Sequence, residues 1–114
     1  MWRDDARVLD IVLACTEALE FTRGVSHVGY LRDRKLQRAL CMVLEIIGEA
    51  ARAVSEEYKA LHPEVPWKEL AGLRNRIVHE YFRLDLNLIW DIVHTDVPAL
   101  LAQLEPLVPP EGET

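Results

Sequence analysis

The feature that most constrains the fold is a long run of apolar residues spaced three and four apart in the middle of the chain. Its members are Leu36, Leu40, Val43, Leu44, Ile47, Ala51 and Val54. This period predicts a helix from about Asp33 to Tyr58 with one buried face. Gly48 costs about 1 kcal/mol relative to alanine inside a helix. We therefore expect another helix to approach closely at Gly48, Ala50 and Ala51.

Helical periodicity also precedes and follows this stretch. A first helix is predicted to begin at a cap formed by Asp4 or Asp5 and to end near Gly24. Its apolar face consists of Val8, Ile11, Val12, Cys15 and Leu19. A third helix is predicted to begin at Pro66, whose missing N–H is not needed in a first turn. Its apolar face consists of Leu70, Leu73 and Ile77.

The C-terminal part of the chain predicts a fourth helix capped by Asp85. Pro98 is expected to kink or restart this helix, with Asp96 as a second cap. Because no strand-like alternation occurs, the predicted fold class is all-α, an antiparallel bundle of four to five helices. We expect one domain over residues 1–108 and a flexible tail over residues 109–114.

The charge of the chain limits the classes of function that it can serve. Its net charge of −6 argues against a protein that coats nucleic acid by bulk electrostatic attraction. A local cationic site is still possible, because the basic residues are clustered. One cluster contains Arg32, Arg34, Lys35 and Arg38, and the other contains Arg74, Arg76 and Arg83.

The compartment is expected to be the cytoplasm. The N-terminal stretch MWRDDARVLD is charged and lacks the apolar segment of a signal peptide. No apolar run approaches the roughly 20 residues of a membrane span. Cys15 and Cys41 are single residues in helical patterns, so we expect buried, reduced thiols.

The segment GLRNRIVHEYF, residues 72–82, gathers several polar groups that a helix does not need in order to fold. If the helix were continuous, Asn75 and His79 would share a face, and Arg74 would lie about 140° around the axis from His79. Tyr81 could approach His79 only if the helix ended near Glu80. The spacing alone therefore gives an incomplete site.

The chemistry of these groups suits RNA cleavage by the 2′-hydroxyl of the RNA itself. Histidine can transfer protons near neutral pH, and arginine matches phosphate oxygens. The paired acidic ligands that would hold a catalytic magnesium ion do not accompany them, and no cofactor is expected. Because one chain offers one such histidine, an acid and a base together would require a two-fold homodimer.

A structural alternative explains the same residues without function. His79 would then satisfy a carbonyl near a helix C-terminus. Arg74 and Arg76 would form weak pairs with surface acids such as Glu69 or Glu80.

Two longer stretches resemble the HepT-like branch of the HEPN superfamily. They are VPWKELAGLRNRIVHEYFRLDLNLIW, residues 65–90, and LCMVLEIIGEAARAVS, residues 40–55. The likeness extends from Tyr30 to about Leu101. The motif of the family, Arg-x4-His-x-Tyr with a polar residue after the arginine, reads Arg74, Asn75, His79 and Tyr81 here.

The resemblance implies an α-helical bundle that dimerises through the faces carrying this motif, and a metal-independent endoribonuclease. Arg74 and His79 would be the catalytic pair and Asn75 a positioning residue. HepT-like members are toxins of type VII-like toxin–antitoxin pairs. Their antitoxin, a minimal nucleotidyltransferase of the MNT type, attaches AMP to the motif tyrosine, which corresponds to Tyr81.

Other roles stay open at this point. Glu49 is a candidate support for Arg74 or Asn75, and Arg76 is a candidate for substrate positioning. Glu45 and Glu49 share a helical face but supply too few ligands for a metal site. The alternative function is a non-catalytic HEPN adaptor that binds a nucleotidyltransferase partner or a nucleotide.

Overall fold

The computed structural model describes residues 2–80 and 83–109. These residues form helices joined by short turns, with one isolated antiparallel bridge between Val78 and Leu84. The helices are α1 (Trp2–Thr22), α2 (His27–Leu31), α3 (Arg34–Ala53), α4 (Glu56–Leu61), α5 (Trp67–Ala71), α6 (Leu73–Ile77), α7 (Leu86–Asp91) and α8 (Val97–Leu104). The all-α prediction is confirmed. Most of the predicted tail, residues 110–114, lies outside the described residues.

The core lies between α1 and α3, the two long helices. α1 packs along α3 and also contacts α8, while α5 packs against α3. The predicted apolar period of α3 is confirmed, because Leu40, Leu44 and Ile47 are fully buried. Asp33 caps α3 by accepting a hydrogen bond from the N–H of Leu36 at 3.0 Å. No helix within the described residues is long and apolar enough to cross a membrane.

The long predicted helix over residues 33–58 is confirmed as far as Ala53 and is wrong beyond it, since α3 ends there and α4 follows. The break is held by Asp4, which is buried in the first turn of α1. Ser55 donates its N–H and its hydroxyl to the two carboxylate oxygens of Asp4, both at 2.8 Å. Ser55 Oγ in turn accepts from the N–H of Tyr58 and caps α4. Asp4 therefore ties two helix ends together instead of capping its own helix.

The predicted third helix is two short helices, α5 and α6, separated at Gly72. The expectation of a close approach at Gly48 is confirmed: a Cβ atom there would lie 2.9 Å from the carbonyl oxygen of Leu70 in α5. The guanidinium of Arg52, one turn further along α3, donates to the carbonyl oxygen of Ala71 at 2.9 Å. These contacts fix the position of α5, and through it that of α6.

The C-terminal helices follow the prediction with one exception. Asp85 caps α7 by accepting from the N–H of Leu88 at 3.2 Å, as expected. A π-helical turn over Ile92–Asp96 precedes α8, and Pro98 lies in the first turn of α8. Asp96 makes no capping hydrogen bond, so its predicted role is wrong. Its backbone is already helical, and a capping side chain requires an extended residue.

Candidate active site

Helix α6 presents its polar residues outward. Leu73 and Ile77 are buried against the core, and the residues between them, Arg74, Asn75 and Arg76, are exposed. In a helix of one and a half turns the side chains between two inward residues must face solvent. The buried pair therefore places the two arginines and the asparagine on the surface of the molecule.

His79 lies beyond the end of α6, in a turn that leads to α7. Its backbone N–H donates to the carbonyl oxygen of Arg83 at 2.7 Å, and the N–H of Asp85 donates to that of Ile77 at 2.8 Å. The expectation that Asn75 and His79 share a helical face is therefore wrong, because the helix ends at Ile77 rather than near Glu80. The position of His79 is set by this turn and not by helical spacing.

Arg74 contacts a carboxylate of the neighbouring long helix. Its Nε atom lies 3.7 Å from Oε1 of Glu45 in α3, and the sulfur of Cys41 lies 3.9 Å from the same oxygen. Burial first, and then the charge of Glu45, raises the pKa of the Cys41 thiol, which therefore remains a donor. The predicted support at Glu49 is one turn away, and Glu45 occupies the place next to Arg74.

His79 contacts a second carboxylate. Its Nε2 atom lies 3.3 Å from Oδ2 of Asp85. The hydrogen bond from the N–H of Leu88, and then that from His79, lower the pKa of Asp85. Asp85 is therefore an anion at neutral pH and can only accept hydrogen bonds.

The other candidate residues in this segment differ in their surroundings. Arg76 borders a cavity of about 270 Å³ with an apolar floor, which it shares with Glu69 and Asp96. Within the described residues, neither Arg74 nor Arg76 forms an ion pair with Glu69 or Glu80. The weak pair that the structural alternative predicts for Arg74 is formed with Glu45 instead. Tyr81, the predicted modification site, lies outside the described residues.

A groove between α1 and α3 adjoins the arginine. This α1/α3 groove has a volume of about 480 Å³ and is lined by residues that include Arg7, Asp10, Met42, Glu45, Ile46 and Glu49. Met42 and Ile46 are exposed, as are Leu9 and Leu13 on α1. Glu45 thus borders the apolar groove on one side and contacts Arg74 on the other.

Comparison with known proteins assigns the chain to a family. The family described as "Ribonuclease HepT-like" matches residues 11–107. The chain belongs to the HepT-like ribonuclease family. A protein of Thermococcus cleftensis named "Probable ribonuclease HepT" is 41% identical over 98 residues, which cover 86% of this chain and 89% of the relative. A "Putative RNase" of Methanocaldococcus jannaschii is 37% identical over 100 residues, 88% of this chain and 92% of the relative.

A third relative extends the range of organisms. A "Putative RNase" of Caldanaerobacter subterraneus is 36% identical over 101 residues, covering 89% of this chain and 90% of the relative. No solved structure matches the chain.

In this HepT-like chain the structure adds two carboxylates that the sequence pattern did not assign to the site. The sequence pairs Glu45 only with Glu49, as an incomplete metal site, and it predicts Asp85 only as a helix cap. In the sequence, Glu45 follows Cys41 by four residues, so the two side chains share one face of α3. This spacing is the feature that could have pointed to Glu45. The signal for Asp85 is a capping residue placed six positions after His79, close enough for the turn to bring the side chains together. Neither spacing identifies such a contact without the fold.

Proposed function

We propose that this HepT-like chain is the cytoplasmic toxin of a type VII-like toxin–antitoxin pair and a metal-independent endoribonuclease. The observation that carries the proposal is the exposure of Arg74 and His79, each beside one carboxylate, close to the α1/α3 groove. Neither side chain is needed for the core, and the side chain of Arg74 is 71% exposed. Their chemistry is that of phosphate binding and proton transfer.

The proposed reaction is transesterification within the RNA. The 2′-hydroxyl oxygen attacks the adjacent phosphorus and gives its proton to a neutral His79. The bond from phosphorus to the 5′-oxygen breaks, and this oxygen takes a proton from a second, charged imidazole. Arg74 stabilises the extra negative charge on the phosphate oxygens during the attack. The products are a 2′,3′-cyclic phosphate and a 5′-hydroxyl.

The second imidazole requires a second copy of the chain. We propose a two-fold homodimer in which the α1/α3 groove of each protomer covers that of the other, because Met42 and Ile46 expose apolar surface there. Glu45 borders the groove and contacts Arg74, so a partner seated on the groove would lie beside the arginine. The composite site would then hold two copies of Arg74 and of His79, with Asn75 as a positioning residue.

Regulation by a nucleotidyltransferase antitoxin of the MNT type is part of the proposal. Tyr81 lies two positions after His79 in the sequence, close to the proposed proton-transfer group. Attachment of AMP to its hydroxyl would add negative charge and bulk where RNA phosphate must bind. Tyr81→Phe would retain cleavage but resist the antitoxin.

The test is a cleavage assay on several RNAs in the presence of a chelator. Wild-type protein should cleave, and His79→Ala should lose roughly 10²–10⁴-fold in rate, the usual contribution of general acid–base catalysis. His94→Ala is the matched control, since His94 is exposed and contacts Trp90 away from the motif. RNA with 2′-deoxyribose at the cleaved position should be resistant.

The same assay separates the proposal from the adaptor alternative. Undiminished cleavage by His79→Ala would contradict the mechanism. Absence of cleavage by the wild type, together with saturable binding of the nucleotidyltransferase or of a nucleotide, would favour the non-catalytic adaptor.

A further inference from the structure

His79 is held at two points, one on its backbone and one on its ring. The backbone N–H donates to the carbonyl oxygen of Arg83 at 2.7 Å, which fixes where the side chain leaves the turn. The ring nitrogen Nε2 lies 3.3 Å from Oδ2 of Asp85. The imidazole is thus restrained in position and in orientation, although its side chain is 53% exposed.

Asp85 is itself fixed by contacts that do not involve His79. Its backbone N–H donates to the carbonyl oxygen of Ile77 at 2.8 Å. Its other carboxylate oxygen, Oδ1, accepts from the N–H of Leu88 at 3.2 Å and caps α7. One oxygen therefore holds the carboxylate on a helix, and the second oxygen is left for the histidine. A carboxylate anchored in this way can hold the imidazole in one orientation.

We infer that Asp85 is a positioning residue, which keeps His79 in the tautomer with the proton on Nε2 and leaves Nδ1 free to take a proton from RNA. The inference rests on the proposed function. A carboxylate has no proton to donate, so the ring nitrogen that faces it must carry the hydrogen. In a neutral imidazole the other nitrogen is then the acceptor. The hydrogen bonds that lower the pKa of Asp85 keep the carboxylate in this accepting form.

Stability does not explain the pair. Half-exposed ion pairs contribute little to the stability of a fold, and the side chains of His79 and Asp85 are 53% and 37% exposed. The capping of α7 needs only the oxygen that accepts from Leu88. The contact of the second oxygen with His79 therefore acts on the orientation of the imidazole and not on the folded state.

The test compares Asp85→Asn with Asp33→Asn. Asparagine is as good a helix cap as aspartate, so Asp85→Asn should keep α7 while removing the charge beside His79. Asp33 caps α3 in the same way, through the N–H of Leu36. It therefore provides the matched control for an aspartate-to-asparagine change at a helix cap.

Two measurements distinguish positioning from a structural role. Asp85→Asn should lower kcat for RNA cleavage by about 10–100-fold, part of the 10²–10⁴ that acid–base catalysis supplies, with KM unchanged. In ¹⁵N spectra of the imidazoles the His79 signals, assigned by their loss in His79→Ala, should move away from the Nε2-protonated pattern. Asp33→Asn should change neither kcat nor these signals.

The outcomes also separate this inference from the proposed function. Adding Asp85→Asn to His79→Ala should cause no further loss of cleavage, since Asp85 acts through His79. A wild-type kcat and unchanged ¹⁵N signals in Asp85→Asn would overturn the inference, as would an equal loss in Asp33→Asn. If His79→Ala cleaves like the wild type, the proposed function fails instead, and the ¹⁵N signals still report whether Asp85 sets the tautomer.

Discussion

Glu45 in α3 and Arg74 in α6 face each other with 3.7 Å between Oε1 and Nε. At this distance the two groups form an ion pair and not a hydrogen bond, so the five N–H donors of the guanidinium can still bind a phosphate. The contact also sets a negative charge beside the cation that we propose to bind RNA. Glu45 therefore reduces the positive potential of the site while it restrains the arginine.

Replacing Glu45 by glutamine should tighten RNA binding. Glu45→Gln removes the negative charge at nearly constant volume, and an exposed pair of this kind corresponds to roughly 0.2–1 kcal/mol. We expect KM for RNA to fall by up to about fivefold, given that about 1.4 kcal/mol is tenfold, with little change in the melting temperature. Steady-state cleavage kinetics at two salt concentrations would measure the change in KM. A lower kcat with unchanged KM would instead indicate that Glu45 orients Arg74 during the reaction.

Replacing Gly48 by alanine should destabilise the protein. The new Cβ would lie 2.9 Å from the carbonyl oxygen of Leu70, so the backbone of α5 must move. Overpacking costs about 1–3 kcal/mol, which exceeds the gain of about 1 kcal/mol in helix propensity. Denaturant unfolding should give a net loss of about 1 kcal/mol.

The matched control is Gly72→Ala. A Cβ at Gly72 would lie 3.6 Å from the nearest neighbouring atom, the carbonyl oxygen of Lys68, which is ordinary contact. This variant should keep the wild-type stability or gain roughly 0.4–1 kcal/mol from the restricted unfolded chain. Equal stability of the two variants would show that the approach of α5 to α3 is looser than the structure indicates.

The fold could be predicted from the sequence where local patterns decide it. The buried period of α3, the close approach at Gly48 and the cap at Asp85 all follow from residues within one helix or its ends. The break at Ser55 could not be predicted, because Asp4 creates it from a separation of 51 residues. The apolar period continues to Tyr58, and only the distant carboxylate shows why the helix stops before it.

The candidate site, like the fold, could be predicted from the sequence only in part. Arg74, Asn75 and His79 could be selected from their chemistry and from the family motif. Their geometry could not, because α6 ends at Ile77 and a turn, not helical spacing, places His79. The partners Glu45 and Asp85 depend on how α3 and α7 pack near α6, which no pattern within residues 72–82 encodes.

The α1/α3 groove predicts a specific effect on oligomeric state. Ile46→Glu would place a new negative charge in the groove beside Asp10, Glu45 and Glu49, and a two-fold axis would bring it near its own copy. We expect the dimer to dissociate and RNA cleavage to fall with it. Light scattering during size-exclusion chromatography would measure the mass.

The control for this variant is Leu61→Glu. Leu61 is 68% exposed on α4, and Ile46 is 40% exposed on α3, so both changes add a carboxylate to an exposed apolar position. Leu61→Glu should leave the mass and the cleavage rate unchanged. A wild-type monomer, or loss of the dimer in both variants, would contradict the proposed interface.

The link between Asp4 and Ser55 predicts a pH-dependent loss of stability. Asp4→Ala would remove both acceptors of Ser55 and leave its N–H unsatisfied, which costs about 1–3 kcal/mol. The backbone hydrogen bond from Ser55 lowers the pKa of Asp4 below its ordinary value of 3.8. The folded state therefore favours the ionised carboxylate. The stabilisation of the folded state by this carboxylate is fully present above the unfolded pKa and is lost as the pH falls through the lower folded pKa.

Urea unfolding of wild type, Asp4→Ala and Asp5→Ala at pH 7 and at pH values below about 4 would test this link. Asp5 is the matched control because it lies in the same first turn of α1, so both variants lose the same favourable charge at the helix N-terminus. Asp4→Ala should be the less stable variant at pH 7, and its difference from wild type should shrink in acid. Equal losses in the two variants, or a difference for Asp4→Ala that does not change with pH, would show that the contact with Ser55 does not hold the ends of α3 and α1 together.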